Sequence, residues 1–331
     1  MKPSIYSIFL PQQGCSNPCL FCNQKAVTGI ETTPGLNEIK KQIVFFLNSN
    51  SYSPNSEIAF YGGNFTGLDW SIQRELLEMV KTAVKETRRQ ATVRISTRPD
   101  YLNERLLTRL KEDNVATIEL GVQSLSDEVL SASGRGYAAE TAIAACRKVV
   151  EKGFQLGVHL MLGLPKDTKA TSLKTLDEII NIQPHFIRIH PTLVLKNTEL
   201  ARHYYAGEYQ PLSLVEAINW CKEMVIRCEK AKVPVARFGL QPSPELCKPG
   251  TVVAGPFHPA FGELVKSALA YDRMNIQLSE LLEKQRETSE VTFYVPAREL
   301  SIYRGQHNQN LIQLKKAWNV NSISIVGIPT N

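Results

Sequence analysis

A chain of 331 residues with 43% hydrophobic content can bury a substantial core, in one large α/β domain or in one domain with a smaller companion. No run of about 18 apolar residues occurs, and the N-terminus MKPSIYSIFLPQQGC lacks the basic, apolar and small-residue succession of a secretion signal, so a cytoplasmic chain with no membrane contact is expected. Seven cysteines, an odd number, argue against a disulfide framework, and a net charge of +6 from scattered Lys and Arg residues suits an anionic partner such as RNA without specifying one; DNA is not expected.

In chain order, strand-like runs are predicted at Ile5–Leu10, Ile58–Tyr61, Thr92–Ser96, Thr117–Val122, Gln155–Leu162 and Phe186–Val194. Helical patterns separate them at Ser71–Arg89, Asn103–Glu112, Ala138–Lys152 and Ser172–Asn181. This alternation implies βαβ units and a parallel sheet, and hence an α/β fold, a partial (β/α)6 TIM-like barrel whose working face lies at the strand C-terminal ends. After about residue 200 the rhythm changes. A helix is predicted near Leu212–Ala231, a strand beside the barrel opening at Val235–Gln241, a Pro- and Gly-rich stretch over 241–259, and a helix from Ala260 into the 280s. VTFYV at 291–295, a helix near Asn308–Trp318 and SISIVG at 322–327 complete a β-α-β pattern. The expected division is a partial barrel over 1–205 and a C-terminal α+β extension over 206–331 that covers the barrel opening.

Directly after the first strand, Cys15, Cys19 and Cys22 lie within eight positions, in a loop where Gly14 and Pro18 permit a tight turn. Thiolates are soft ligands that select zinc or iron–sulfur clusters. A structural zinc site normally has a fourth Cys or His, which here would have to come from a distance, from Cys247 or His258. A four-iron cluster held by three cysteines instead leaves one iron open to an exogenous ligand.

Further candidates stand at the ends of the later strands. Gly62 and Gly63, between Tyr61 and Asn64, let backbone approach a ligand and leave carbonyls to accept from an ammonium group. Arg98 suits a carboxylate and Ser96 or Thr97 a ribose hydroxyl; the alternative is that Arg98 and Asp100 pair with each other or cap the helix starting near Asn103. The fourth strand delivers Glu119, Gln123 and Ser124, and Arg135 between Gly134 and Gly136 suits a carboxylate. The fifth strand offers an apolar face around Leu162 for an adenine, with His159 assigned to the core or barrel interior.

The Cys15-x3-Cys19-x2-Cys22 spacing, with Phe21 directly before the third cysteine, resembles the signature of the radical S-adenosylmethionine enzymes. The phrases STRPDYL at 96–102, IELGVQSLSDEVL at 118–130, GRGY at 134–137 and RIHPTLVLKNTEL at 188–200 resemble the radical domain of the Elongator catalytic subunit and its shorter bacterial relatives, as does GPFHPAFGELV at 255–265 for the latter. The resemblance implies a [4Fe–4S] cluster on Cys15, Cys19 and Cys22, with S-adenosylmethionine cleaved reductively to methionine and a 5′-deoxyadenosyl radical. It assigns cofactor binding to Phe21, Gly62, Gly63, Asn64, Ser96, Arg98, Gln123, Arg135 and Leu162, and calls for a reductant such as flavodoxin or ferredoxin.

The substrate it implies is RNA, tRNA first, and Lys196, Arg202, His203, Tyr204, Tyr205 and Arg237 are of the basic and aromatic types that suit phosphates and stacked bases. His190, Lys196 and Arg237 are the substrate-facing, catalytic candidates, with His258 as a lid residue. The Elongator subunit's acetyltransferase domain has no evident counterpart, so the resemblance supports the radical chemistry better than the substrate. A small-molecule or protein substrate is the alternative, since oxygen-independent coproporphyrinogen oxidases share the GVQS phrase. A non-catalytic iron–sulfur protein would leave the Gly62-Gly63 and Gly121–Arg135 elements without a purpose.

Overall fold

The computed structural model describes residues 4–16, 18–30, 32–284 and 290–329. Its main element is a parallel sheet of β1 (Ile5–Phe9), β2 (Glu57–Tyr61), β3 (Thr92–Thr97), β4 (Val115–Gln123), β5 (Gln155–Leu162), β6 (Phe186–Pro191) and β8 (Val235–Phe238), in that spatial order. Strand β7 (Val194–Leu195) lies outside it, paired antiparallel with β9 (Val252–Ala254). Strands adjacent in sequence are adjacent in space, so every link from β1 to β6 is a simple crossover through helix. Those crossovers carry α1 (Gln24–Thr28), α2 (Leu36–Leu47), α3 (Trp70–Thr87), α4 (Glu104–Glu112), α5 (Asp127–Ala132), α6 (Ala139–Glu151) and α7 (Lys169–Asn181).

Local chemistry explains the boundaries. Asn103 caps α4 by accepting from Leu106 N (2.9 Å), and Thr168 caps α7. The next two helices are α8 (Glu199–Tyr205) and α9 (Leu214–Lys230), and Ser213 and Glu216 close a reciprocal capping box on α9. Strand β6 stops at Pro191, three residues before the expected end, because proline has no N–H to continue the ladder. The sheet has seven strands rather than six, since the run at Val235 joins it as β8, in register with β6. Helix α2, not among the predicted elements, buries Ile39, Ile43, Phe46 and Leu47, a helical stripe legible in its sequence.

Period-two alternation gives the sheet two unlike faces. Ile58, Phe60, Val93, Ile95, Ile118, Leu120, Val158, Leu160, Ile187 and Ile189 pack outward beneath the helices, all within 1% of full burial. This core continues past residue 206 through Ala217, Cys221 and Met224 of α9 to Val265 and Leu269 of α10 (Phe261–Lys284). The expected division at 205/206 therefore falls inside one core. A second core starts at Met274 and Leu278 and joins the far half of α10 to the parallel pair β10 (Glu290–Pro296) and β11 (Ser322–Ile328), with α11 (Leu300–Arg304) and α12 (Gln309–Trp318) between them.

Candidate active site

The cysteine loop is held by the turn that follows β2. Gly14 takes φ +71°, and a Cβ there would sit 2.1 Å from Asn64 O; a Cβ on Gly67 would sit 2.1 Å from Gly14 O. Asn64 N donates to Gln13 O (2.9 Å), its Nδ2 to Gly14 O (3.0 Å), and its Oδ1 accepts from Thr97 Oγ1 (2.6 Å) and Arg98 N (3.1 Å). Asn64 is fully buried with its amide committed, and these bonds position the loop. The glycines pack against the same loop. Gly62 O accepts from Gln12 N (2.9 Å), and a Cβ on Gly63 would lie 2.4 Å from Gln13 O and 2.8 Å from Leu10 O. The absent side chains make room for the loop's own backbone.

Cys15, Cys19 and Cys22 are half-buried on that loop. Burial pushes the Cys15 thiol up and the Cys22 thiol up to about 12, so ligation of a metal displaces protons. Arg135, 4% exposed, donates from Nη1 to Cys19 Sγ (3.0 Å), while Nε and Nη2 hold the Tyr137 hydroxyl (3.1 and 2.8 Å) and Nη2 also meets Gly121 O. This places a buried cation beside the thiols, where it offsets the charge of a thiolate-bound cluster. Arg98 grips Asp100 with two bonds (2.9 and 2.8 Å) and donates to Arg135 O (2.6 Å), the pairing with Asp100 weighed as its alternative role.

Gln123 ends β4 at φ +68°, uncommon for a residue with a side chain, and its buried Oε1 has no partner in the protein. It leans over Gly121, where a Cβ would meet Gln123 Nε2 at 3.0 Å. An orphaned acceptor on a strained strand end is what a bound ligand would satisfy. Ser96 faces the same interior, in register with Glu119. Phe21 packs instead in an apolar cluster with Val194, Leu200 and Tyr204. Leu162 is fully buried in the helix-side core, and the interior-facing neighbour is Met161: alternation displaces the expected contact by one residue. Cys247 is exposed, and His258 caps the start of α10 by accepting from Ala260 N (3.1 Å).

Below this mouth the barrel interior is polar. Glu119, fully buried, accepts from Tyr61 OH (2.7 Å), Arg94 Nη1 (2.7 Å), Arg188 Nη2 (3.0 Å) and His159 Nε2 (2.5 Å). Burial opposes its ionisation, but His159, Arg188 and Arg94 outweigh that and hold its carboxyl well below the usual range. Glu57 takes the other side of Arg94 (2.9 Å to Nε) and Thr117 Oγ1 (2.6 Å). His159 thus belongs to the interior. Arg94, Glu57 and Arg188 were not picked out from sequence; the signal was present as a single charged residue in each of three otherwise largely apolar strand runs.

His190 and Arg237 also line this interior, Arg237 in register with Arg188 and His190 with its ring centroid 5.8 Å from that of His159. Lys196 is apart from them. It follows β7, receives Asn23 Nδ2 on its carbonyl (2.8 Å) and donates its N–H to Thr251 O (3.0 Å), within a cover whose Leu193, Leu195 and Leu246 pack on Val27 of α1. Helix α8 abuts the cysteine loop through Leu200 N to Leu20 O (2.9 Å), with Tyr205 73% exposed, while Arg202 and His203 pair with Glu199 and Glu208.

The model of the Radical SAM superfamily matches residues 9–179, just over half of the chain, and that of the Radical_SAM C-terminal domain matches 184–271. The chain belongs to the radical SAM superfamily. The cofactors of this enzyme family are a [4Fe–4S] cluster and S-adenosylmethionine; Arg135 on Cys19 and the orphaned Gln123 acceptor suit them, while among the described residues no three His, Cys, Asp or Glu side chains are gathered closely enough to hold a metal ion. Among relatives, the chain is 32% identical over 182 residues to a tRNA uridine(34) acetyltransferase of Methanocaldococcus infernus, covering 49% of this chain and 34% of the relative. It is 24% identical over 246 residues to an uncharacterized protein of Methanocaldococcus jannaschii, covering 69% and 70%. The fold matches the archaeal Methanocaldococcus infernus Elp3 with an N-terminal deletion, with a TM-score of 0.61 and 21% identity over 86% of this chain and 64% of that one. The chain thus spans about a third of the first curated relatives' length. The second family match ends at 271, where the core attached to the sheet also ends. No helix of the described residues is long and apolar enough to cross a membrane.

Proposed function

We propose that this radical SAM enzyme acts on an RNA, with tRNA as the first substrate to test, and that it draws its electron from a flavodoxin- or ferredoxin-type reductant. The observation that carries the radical chemistry is the three-thiol loop beside Arg135 at the mouth of a parallel barrel. Loaded with its cofactors, the site supplies one electron that cleaves the sulfonium of S-adenosylmethionine and yields a 5′-deoxyadenosyl radical. The chain's own part is to hold the loop through Asn64 and the glycines, to present Gln123 and Ser96 at the mouth, and to keep the interior charges paired through Glu119. RNA is supported by the net charge of +6 and by the names of the tRNA-modifying relatives.

Domain limits follow the same reading: a catalytic body to about residue 271, and a smaller module beyond it. The test is anaerobic reconstitution followed by assay of 5′-deoxyadenosine with and without tRNA. Stimulation by tRNA, with binding that weakens steeply as salt rises, supports the reading. Cleavage indifferent to tRNA and stimulated by a small-molecule extract would transfer the enzyme to another substrate.

A further inference from the structure

The interior face of β2, β3, β4, β6 and β8 carries two carboxylates, Glu57 and Glu119, against three guanidiniums, Arg94, Arg188 and Arg237. Arg94 is shared between both carboxylates, and Arg188 is held by Glu119 (2.9 Å from Nε) and Tyr61 OH (3.1 Å). That leaves Arg237 as the surplus cation: among the described residues no acidic side chain lies within ion-pair distance of it. It stands half-buried beside Arg188 in the strand register, where like charge and lost solvation both disfavour it, and its pKa is lowered by burial first and Arg188 second. Diagonal to it on the same face is His190, whose buried Nδ1 has no partner. Burial, with His159 and Arg188, keeps that imidazole neutral, so one ring nitrogen can donate without adding charge.

We propose that Arg237 and His190 form an oxyanion subsite for the substrate, taking a phosphate or carboxylate group at the barrel mouth. An oxyanion would take the Arg237 fork in two bonds and, in the tautomer that carries the proton on Nδ1, the His190 N–H in a third, completing the charge balance and giving the unpartnered Nδ1 a bond. The subsite rests on the reading of this mouth as the substrate site, and under the RNA reading its occupant is a phosphate next to the modified nucleotide. Both residues stand one position before a strand end, on the side of the barrel where the substrate meets the cofactors.

The test uses cluster-loaded protein under anaerobic conditions, with inorganic phosphate and acetate as probes in calorimetric titrations. Saturable binding of either probe is expected, phosphate pointing to a nucleotide and acetate to a carboxylate substrate. Arg237→Met should weaken it roughly tenfold or more, and Arg237→Lys less, for loss of one charge-assisted contact. Lys85→Met, on the exposed face of α3, should leave it unchanged. Without anion, Arg237→Met should also raise Tm by about 2 °C, because it removes an unpaired, desolvated charge. No saturable binding, binding indifferent to Arg237→Met, or a lowered Tm in that variant would overturn the subsite. Phosphate binding in a protein that ignores tRNA removes the RNA reading and leaves the subsite standing; tRNA binding without any phosphate or acetate binding does the reverse.

Discussion

On one side of the seven-stranded sheet Ile58, Ile95, Leu120, Leu160 and Ile189 meet helices, and on the other Glu57, Arg94, Glu119, His159 and Arg188 meet one another. The outer face needs only apolar volume at alternate positions, and many sequences satisfy that. The inner face holds five ionisable groups, three of them buried and two partly so, and each is tolerable only while its partners stand in register. Stability is therefore spread across the outer face and concentrated on the inner one, where a single carboxylate ties its own strand to four others.

The largest expected effect breaks that concentration. Glu119→Ala leaves Arg94 and Arg188 without their shared partner and should cost about 3–5 kcal/mol in urea denaturation of the metal-free protein. A loss under about 1 kcal/mol would mean that the interior is solvated and the contrast false. Gly63→Ala drives a Cβ into Gln13 and Leu10 backbone, so iron per chain after reconstitution should fall to less than half. Full iron content with weakened S-adenosylmethionine affinity would return the glycine to the cofactor.

The two faces can be compared at adjacent residues. Leu162→Ala should cost about 2–4 kcal/mol, as for a core leucine, with S-adenosylmethionine affinity unchanged, whereas Met161→Ala should cost about 1 kcal/mol and alter that affinity. The reverse pattern would put Leu162 back at the site.

A smaller effect is expected from His190, which burial pushes down to about 3 from its ordinary value of about 6.5. The unfolded chain binds this proton first as pH falls, so stability present above about pH 6.5 is lost progressively toward about pH 3. His190→Gln should flatten that part of the curve, as read from denaturation midpoints at about pH 7 and about pH 4.5. The floor is the exposed pair Lys40 and Glu86, 3.0 Å apart, where Lys40→Ala should change stability by about 0.5 kcal/mol or less. A surface effect as large as the interior one would erase the distinction.

Much of the fold was legible because strands and helices announce themselves by local period: Gln155–Leu162 was placed to the residue, and β8 was recognised before its neighbour was known. Helix α2 was missed although its stripe is as regular, because it fell in the long connection after the cysteine loop. At the site, the three cysteines were legible from spacing, and Gln123 and Arg135 from their phrases at strand ends. What packing adds is the neighbours of Asn64, Gly63, Arg98 and Leu162, each held by a residue far away in sequence or turned to the helix side, which no local pattern announces.

The sequence by itself determined the family, the placing of three cysteines on one loop and the succession of strands and helices, because these depend on spacing along the chain and on short-range periodicity. Tertiary structure alone decided which polar residues are neighbours. Glu119 meets Tyr61, 58 positions away, and Arg188, 69 away, and Arg135 reaches Cys19 across 116. Those contacts arise from the register of parallel strands curling into a partial barrel, a relation between distant segments that no local pattern encodes.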